Sequence, residues 1–179
     1  MNLTVKFSFV LIVLFFASCN KNDFEPNYSQ GKALAIKNGK DWMGQAGGVI
    51  DRQGVGIDFY YDVFDDSGQL RERLGFSKVP YAIGNHRLFE NFGHLLDSLP
   101  TCNYTTISFD GDVVEDRYKV VEVGDESIVT VTDYDESEKL LSGEFKIKLY
   151  IDPDRPKSNP SNPDTILFEV GEFEVTIEE

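Results

Sequence analysis

The chain has 179 residues, 41% of them hydrophobic, and sets 31 acidic against 17 basic side chains for a formal net charge of −14. That length suits one domain with a sizeable core and is too short for two comfortable ones. So acidic a surface repels nucleic acid and anionic lipid, whose binding needs clustered Lys and Arg to displace counterions, so no nucleic-acid partner is expected.

Lys6 precedes a run from Phe7 to Phe16 that is apolar except for Ser8, and small residues follow it. This is the layout of a secretory signal. As a helix rising about 1.5 Å per residue, the run spans only about half of a ~30 Å hydrocarbon layer, which argues against a permanent transmembrane helix. The segment Phe16-Ala17-Ser18-Cys19 resembles a bacterial lipoprotein signal. That resemblance implies cleavage after residue 18 and lipidation of the Cys19 sulfur; the alternative is an ordinary leader cut near Ala17 that leaves a free thiol. Each buried methylene contributes about 0.8 kcal/mol, so two or three acyl chains hold a protein firmly to its membrane. The expectation is a bacterial cell-envelope protein, at the outer membrane, whose membrane contact is the N-terminal lipid. With Cys19 lipidated, Cys102 has no intramolecular partner, and no His lies near it in sequence to activate it, so it is read as structural.

Residues 19–30 are polar and aperiodic, which suits a flexible tether, and a single β-rich domain is read over 31–179. Strands are expected from Ala33 to Lys37 and from Trp42 to Ile50. Val55, Ile57, Phe59, Tyr61 and Val63 alternate along one face, a turn at Asp65-Asp66-Ser67-Gly68 follows, and Leu70, Leu74 and Phe76 take up the next strand. Further strands are expected over Tyr81–Phe89, Tyr104–Phe109, Val113–Val121 and Ser127–Thr132, punctuated by Asn38-Gly39, Asp110-Gly111 and Gly124-Asp125. Between Arg87 and Leu99, helical spacing of Leu88, Phe92, Leu95, Leu96 and Leu99 competes, so a short helix or a turn is expected there. Leu141, Gly143, Phe145, Ile147, Leu149 and Ile151 form the longest ladder. The last ladder, Ile166, Phe168 and Val170, changes phase at Gly171 before Phe173, Val175 and Ile177; a hairpin is favoured over a bulge. Between these two ladders, 152–164 carries four prolines, cannot extend a sheet, and reads as a long exposed loop where a partner contact could sit. The fold class is all-β: an antiparallel sandwich or barrel with hairpin connections.

Together with Cys19, the opening Ala35-Ile36-Lys37-Asn38-Gly39-Lys40-Asp41-Trp42 and the late Leu141-Ser142-Gly143-Glu144-Phe145 and Val170-Gly171-Glu172-Phe173 resemble uncharacterised envelope lipoproteins of the Bacteroidota type, with their A-x-x-N-G-x-x-W opening and paired G-x-F strands. The resemblance implies an all-β fold and no known activity.

Chemistry is harder to place. Ca²⁺ takes six to eight oxygen ligands from closely spaced carboxylates and carbonyls. Asp62, Asp65 and Asp66 crowd one turn, Asp110, Asp112, Glu115 and Asp116 another, and Asp133, Asp135 and Glu136 a third, without the D-x-[DN]-x-[DN]-G loop of an EF-hand. Asp is also favoured in turns for its local hydrogen bonding, so these are weak metal candidates, and Ca²⁺ is the one cofactor the acid clusters raise. His86 and His94 lack ligand spacing for zinc, and no G-x-S-x-G elbow marks a nucleophile. Trp42, Tyr60, Tyr61, Tyr81 and Tyr104 could form a stacking surface, although most belong in a core. Tyr60 is the binding candidate, because it faces away from the Phe59 and Tyr61 ladder. No catalytic residue is nominated. The leading expectation is a noncatalytic binding or scaffolding module for a protein or glycan partner. A Ca²⁺-dependent adhesion or glycan-binding module and an enzyme with a hidden cleft are the alternatives.

Overall fold

A computed structural model of the chain describes residues 25–52, 55–90, 99–121 and 126–177; the expected leader, Cys19 and His94 lie outside them. Ten strands follow in order: β1 (Gly31–Lys37), β2 (Lys40–Arg52), β3 (Gly56–Phe64), β4 (Leu70–Val79), β5 (Gly84–Arg87), β6 (Thr101–Ile107), β7 (Val114–Val120), β8 (Ile128–Asp135), β9 (Leu140–Ile151) and β10 (Thr165–Thr176). Among the described residues there is no helix. The span from Arg87 to Leu99 begins as the end of β5 and runs through buried Leu88 into a bridge between Phe89 and Thr101; its middle, 91–98, lies outside the described residues.

All strand pairings in the sheet are antiparallel, in the order β10-β1-β2-β3-β4-β6-β7-β9, and β9 pairs back onto β10, so the sheet closes into a barrel. The long β9 makes closure possible. One of its edges takes β10 along its whole length, while the other takes β8 through Leu140–Lys146 and then β7 through Leu149–Ile151. Strand β5 pairs with β8, outside the ring.

Alternation decides what fills it. Ile57, Phe59 and Tyr61 point inward, as do Leu74, Phe76, Tyr104, Tyr118, Phe145, Ile147, Phe168 and Phe173, each no more than 3% exposed. Phe59 stacks on Phe76 and Phe173 with centroids 5.0 and 5.4 Å apart, and Trp42 meets Phe168 edge-on at 5.1 Å. A ring of this many strands is just wide enough for side chains, and here aromatic rings occupy it. Cys102 joins this core, and burial pushes its thiol pKa up.

The expected hairpin at Gly171 is instead a bulge within one continuous strand. Phe168 pairs with Ile147 and Gly171 with Phe145, so Glu169 and Val170 together oppose Lys146. Val170 absorbs the extra residue at φ +48° with its side chain 79% exposed. A Cβ at Gly171 would lie 2.4 Å from the Phe145 ring, so only glycine lets β10 pass this close to the core. The phase change was the mark of a slip, and the strand partners on both sides of β10 favoured the bulge over a turn. The strand expected over Tyr81–Phe89 shrinks to Gly84–Arg87, because the chain bends through Tyr81, Ala82 and Ile83 before it.

Candidate functional site: an outer groove beside the 152–164 loop

The strand registers give the barrel two distinguishable poles. Gly31 pairs with Val175, so the chain enters beside the end of β10 at one pole. The turns 38–39, 65–69 and 108–113 and the loop 152–164 all connect strand ends at the opposite, far pole.

Two of the acid clusters therefore sit together at the far pole, but most of their carboxylates are already engaged. Asp62 faces Arg73 across β3 and β4 and takes a two-pronged ion pair, Nε to Oδ1 at 2.7 Å and Nη2 to Oδ2 at 2.8 Å. Asp65 closes its own turn: it accepts from Ser67 Oγ at 2.6 Å, from the N–H of Gln69 at 3.0 Å and from Arg71 Nε at 3.0 Å. Those bonds hold its pKa well below the usual carboxylate range, the Ser67 hydroxyl contributing most. Arg71 also donates to the Ser108 carbonyl at 2.6 Å and lies over Phe109, tying the two turns to each other. Asp110 accepts from the Ser108 hydroxyl, which lowers its pKa, while Asp66 and Asp112 are exposed. In the third turn, at the pole of chain entry, Asp135 accepts from Ser137 and Glu138 in the same way. Among the described residues no three carboxylate, imidazole or thiol side chains are placed together for a metal ion. His86 Nε2 meets the Ala82 carbonyl at 2.7 Å.

Tyr60 does face outward, and its neighbours explain it. It pairs with Gly48 beside a bulge in β2, its ring lies where Cβ atoms of Gly47 and Gly48 would be, and its hydroxyl donates to the Gly47 carbonyl at 2.7 Å. The Arg73 guanidinium covers the ring, 4.1 Å from its centroid. The side chain thus covers two glycines and is itself covered, which takes its face out of use for ligand stacking.

Polar capacity is concentrated around β4, β6 and β7. Arg73, Thr105 and Arg117 stand in one cross-strand row on the outer face, and Asn103 pairs with Lys119 in the next. With Arg155, these side chains line a groove of about 640 Å³. Lys119 is ringed by Glu90 at 3.0 Å, Asp152 at 2.9 Å and Asp154 at 2.8 Å, and the Tyr150 hydroxyl donates to Glu90. The Asp154 and Asp152 carboxylates raise the Lys119 pKa against its desolvation. For Asp152, burial acts upward, yet the Lys119 ammonium and the Asp154 N–H outweigh it and leave the pKa lowered.

The groove's second wall is the proline-bearing loop, which is tied down throughout. Asp116, 3% exposed at the inner face of β7, accepts from the N–H of Ser158 at 2.7 Å and from Asn162 Nδ2 at 2.7 Å. Tyr118 donates to the Pro163 carbonyl at 2.8 Å. Beneath the loop, Lys37, Glu72, Trp42 and Tyr104 hydrogen-bond to one another at the end of the barrel interior. The loop therefore caps the far mouth.

Sequence reading placed Asp116 in an acid cluster and the loop in solvent; their union depends on contacts across more than forty residues and leaves no local pattern. The Arg73, Arg117 and Lys119 set carried a weak signal in alternation, being outward positions of expected strands. In comparisons with protein-family models, curated proteins and solved structures, none matched the chain.

Proposed function

We propose that this protein is a noncatalytic binding or scaffolding module of a bacterial cell envelope, held at the outer membrane by a lipid on Cys19 and presenting the far-pole groove to a partner. It would stand beside the Bacteroidota-type lipoproteins its sequence motifs resemble. One observation carries the noncatalytic part. Of the shifted groups lining the groove, Lys119 is displaced upward, by Asp154 first and then Asp152, and Asp152 downward by Lys119, both away from neutrality. Acid–base catalysis calls for the reverse, pKa values drawn toward the working pH. Two features support binding. The aromatic filling of the barrel directs ligands to its outer surface, and the bonded 152–164 loop offers a wall that loses little conformational freedom when a partner arrives.

The test has two arms in a bacterial host. Metabolic labelling with a fatty-acid analogue is expected to mark the wild-type chain in the membrane fraction and to miss Cys19→Ser, which should be recovered soluble; label on both would sink the anchor. A photo-crosslinking residue at Thr105 is expected to capture a partner that the same residue at Lys146, on the outer face of β9, does not. Equal capture at both positions would sink the groove as the binding surface.

A further inference from the structure

We infer that the outer face of β1, β2 and the bulged β10 docks on a zwitterionic lipid surface, laying the barrel on its side against the membrane. The inference rests on the Cys19 anchor proposed above and adds the orientation of the domain on it.

Four apolar side chains meet on that face. Leu34 pairs with Met43 across β1 and β2, and both are exposed. Ile36, two residues along β1, shares their side of the sheet. The β10 partners of Leu34 and Ile36 are Glu172 and Glu169, so the bulge places Val170 between those two rungs with its side chain in solvent. Together the four line a shallow groove of about 550 Å³. Val170 holds a left-handed backbone without the packing that would offset it, and a contact made through its exposed isopropyl group explains a valine there.

The path of the chain says what covers this face. Before β1, the Asn27 N–H donates to Gln45 Oε1 at 2.8 Å and the Tyr28 hydroxyl to Met43 Sδ at 3.5 Å, so the chain reaches β1 across the outer face of β2. Cys19 lies eight residues before Asn27, a reach of at most about 29 Å. An acylated Cys19 therefore holds the domain by this face. Anchoring also raises the local concentration of lipid, so a patch too small to bind membranes alone suffices for docking. Around the ring, β6 lies four strands from β1 in either direction. A barrel resting on β1 and β2 thus turns the groove of β4, β6 and β7 away from the membrane, where a partner can reach it.

Charge selects the lipid. Asp41 and Glu169 flank Ile36, and Glu172 flanks Leu34. The nearby cations are Lys32, opposite Glu174 in the next outward row, and Lys40 at the start of β2, which leaves the acids in excess. Such a border repels an anionic headgroup and meets the ammonium of a zwitterionic one. A second copy seated on the same face would bring these carboxylates against their own kind.

The experiment reconstitutes the acylated full chain, its lipid confirmed by mass spectrometry, into phosphatidylcholine vesicles that carry a nitroxide-labelled lipid. A bimane fluorophore is attached at Met43→Cys or, across the barrel, at Thr105→Cys; Cys102 is buried, and the parent chain gives its background labelling. Quenching by the lipid is expected to be at least about threefold stronger at position 43 than at 105. Leu34→Thr combined with Val170→Gly should cut the signal at 43 by about twofold or more, with melting in detergent showing the domain still folded. Replacing part of the phosphatidylcholine with phosphatidylglycerol should weaken the signal as well, and a stronger signal would overturn the zwitterionic surface. Equal quenching at both positions, or a signal at 43 indifferent to the paired substitutions, would overturn the inference while the acyl mass leaves the anchor standing. Self-quenching between labels at 43 without quenching by lipid would put a second copy on the face and overturn it too. A chain without acyl mass would sink the anchor and this orientation together.

Discussion

Asn162 donates its side-chain amide to Asp116 at 2.7 Å, a bond that joins the cap of the barrel to the inner face of β7 across 46 residues of sequence. Asp116 also receives the Ser158 N–H, so a single buried carboxylate fixes both limbs of the loop's turn. Asp116→Ala removes the acceptor for both and is expected to cost about 1–3 kcal/mol. For a domain of this size that lowers the melting temperature by roughly 2–10 °C. Limited proteolysis should show new cutting between residues 155 and 163, while the barrel fragment stays intact. Unaltered protease resistance would mean the loop is held by its prolines and by its bonds to Tyr118, Glu115 and Thr106.

The three carboxylates around Lys119 make a second test. Lys119→Met leaves Glu90, Asp152 and Asp154 facing one another without their cation, and breaking such a partly buried network is expected to cost about 3 kcal/mol. Raised ionic strength should restore part of the loss in this variant, because salt screens the repulsion among the three carboxylates. Wild-type protein, whose ammonium already fills that place, should gain far less. A variant that melts as wild type, at low and at high salt, would show that the network contributes nothing to folding.

Acid stability has a definite sign. Asp65, Asp110, Asp135 and Asp152 all have pKa values lowered in the folded protein. A carboxyl group so lowered contributes stability that is present above its unfolded pKa, about 3.9 for Asp, and lost as pH falls toward the folded value. The melting temperature is therefore expected to be level with respect to these groups from about pH 7 to pH 5 and to drop below about pH 4. Asp65→Asn should flatten part of that drop, since the Ser67, Gln69 and Arg71 bonds no longer depend on ionisation. An equally steep acid limb in the variant would place the acid sensitivity elsewhere.

Val170 offers a gain of stability. A β-branched residue at φ +48° is strained, and with its side chain 79% exposed it returns little packing. Val170→Gly is expected to stabilise by about 1 kcal/mol, raising the melting temperature by roughly 2–4 °C. Gly171→Ala next to it should do the opposite, since its Cβ would run into the Phe145 ring. A lower melting temperature for Val170→Gly would mean that the exposed isopropyl group is stabilising after all.

Much of the fold is legible in the alternation because a filled barrel enforces it: Phe59 and Tyr61, or Phe145 and Ile147, must point inward at every second residue or leave the interior empty. Closure is not legible, because it depends on β9 holding β7, β8 and β10 at once, and no local pattern encodes a strand that changes partner partway along. The bulge announced itself as a phase change without saying whether the chain turned there. Partners of the acids divide the same way. Arg73 lies opposite Asp62 across one hairpin, so the register contains that pair once the turn is known. The hold of Asp116 on Asn162, and the meeting of Arg117 with Arg155, arise only when the loop folds back on β7.

The entry of the chain at Gly31, beside Val175 and away from the groove, has a mechanical consequence. A pull on the chain before Gly31 that is resisted at the far pole acts parallel to the strands, whereas the hydrogen bonds between β1 and its neighbours β2 and β10 run across them. Such a load shears both ladders at once instead of unzipping one rung after another, so a domain of ordinary thermal stability can still hold fast under tension.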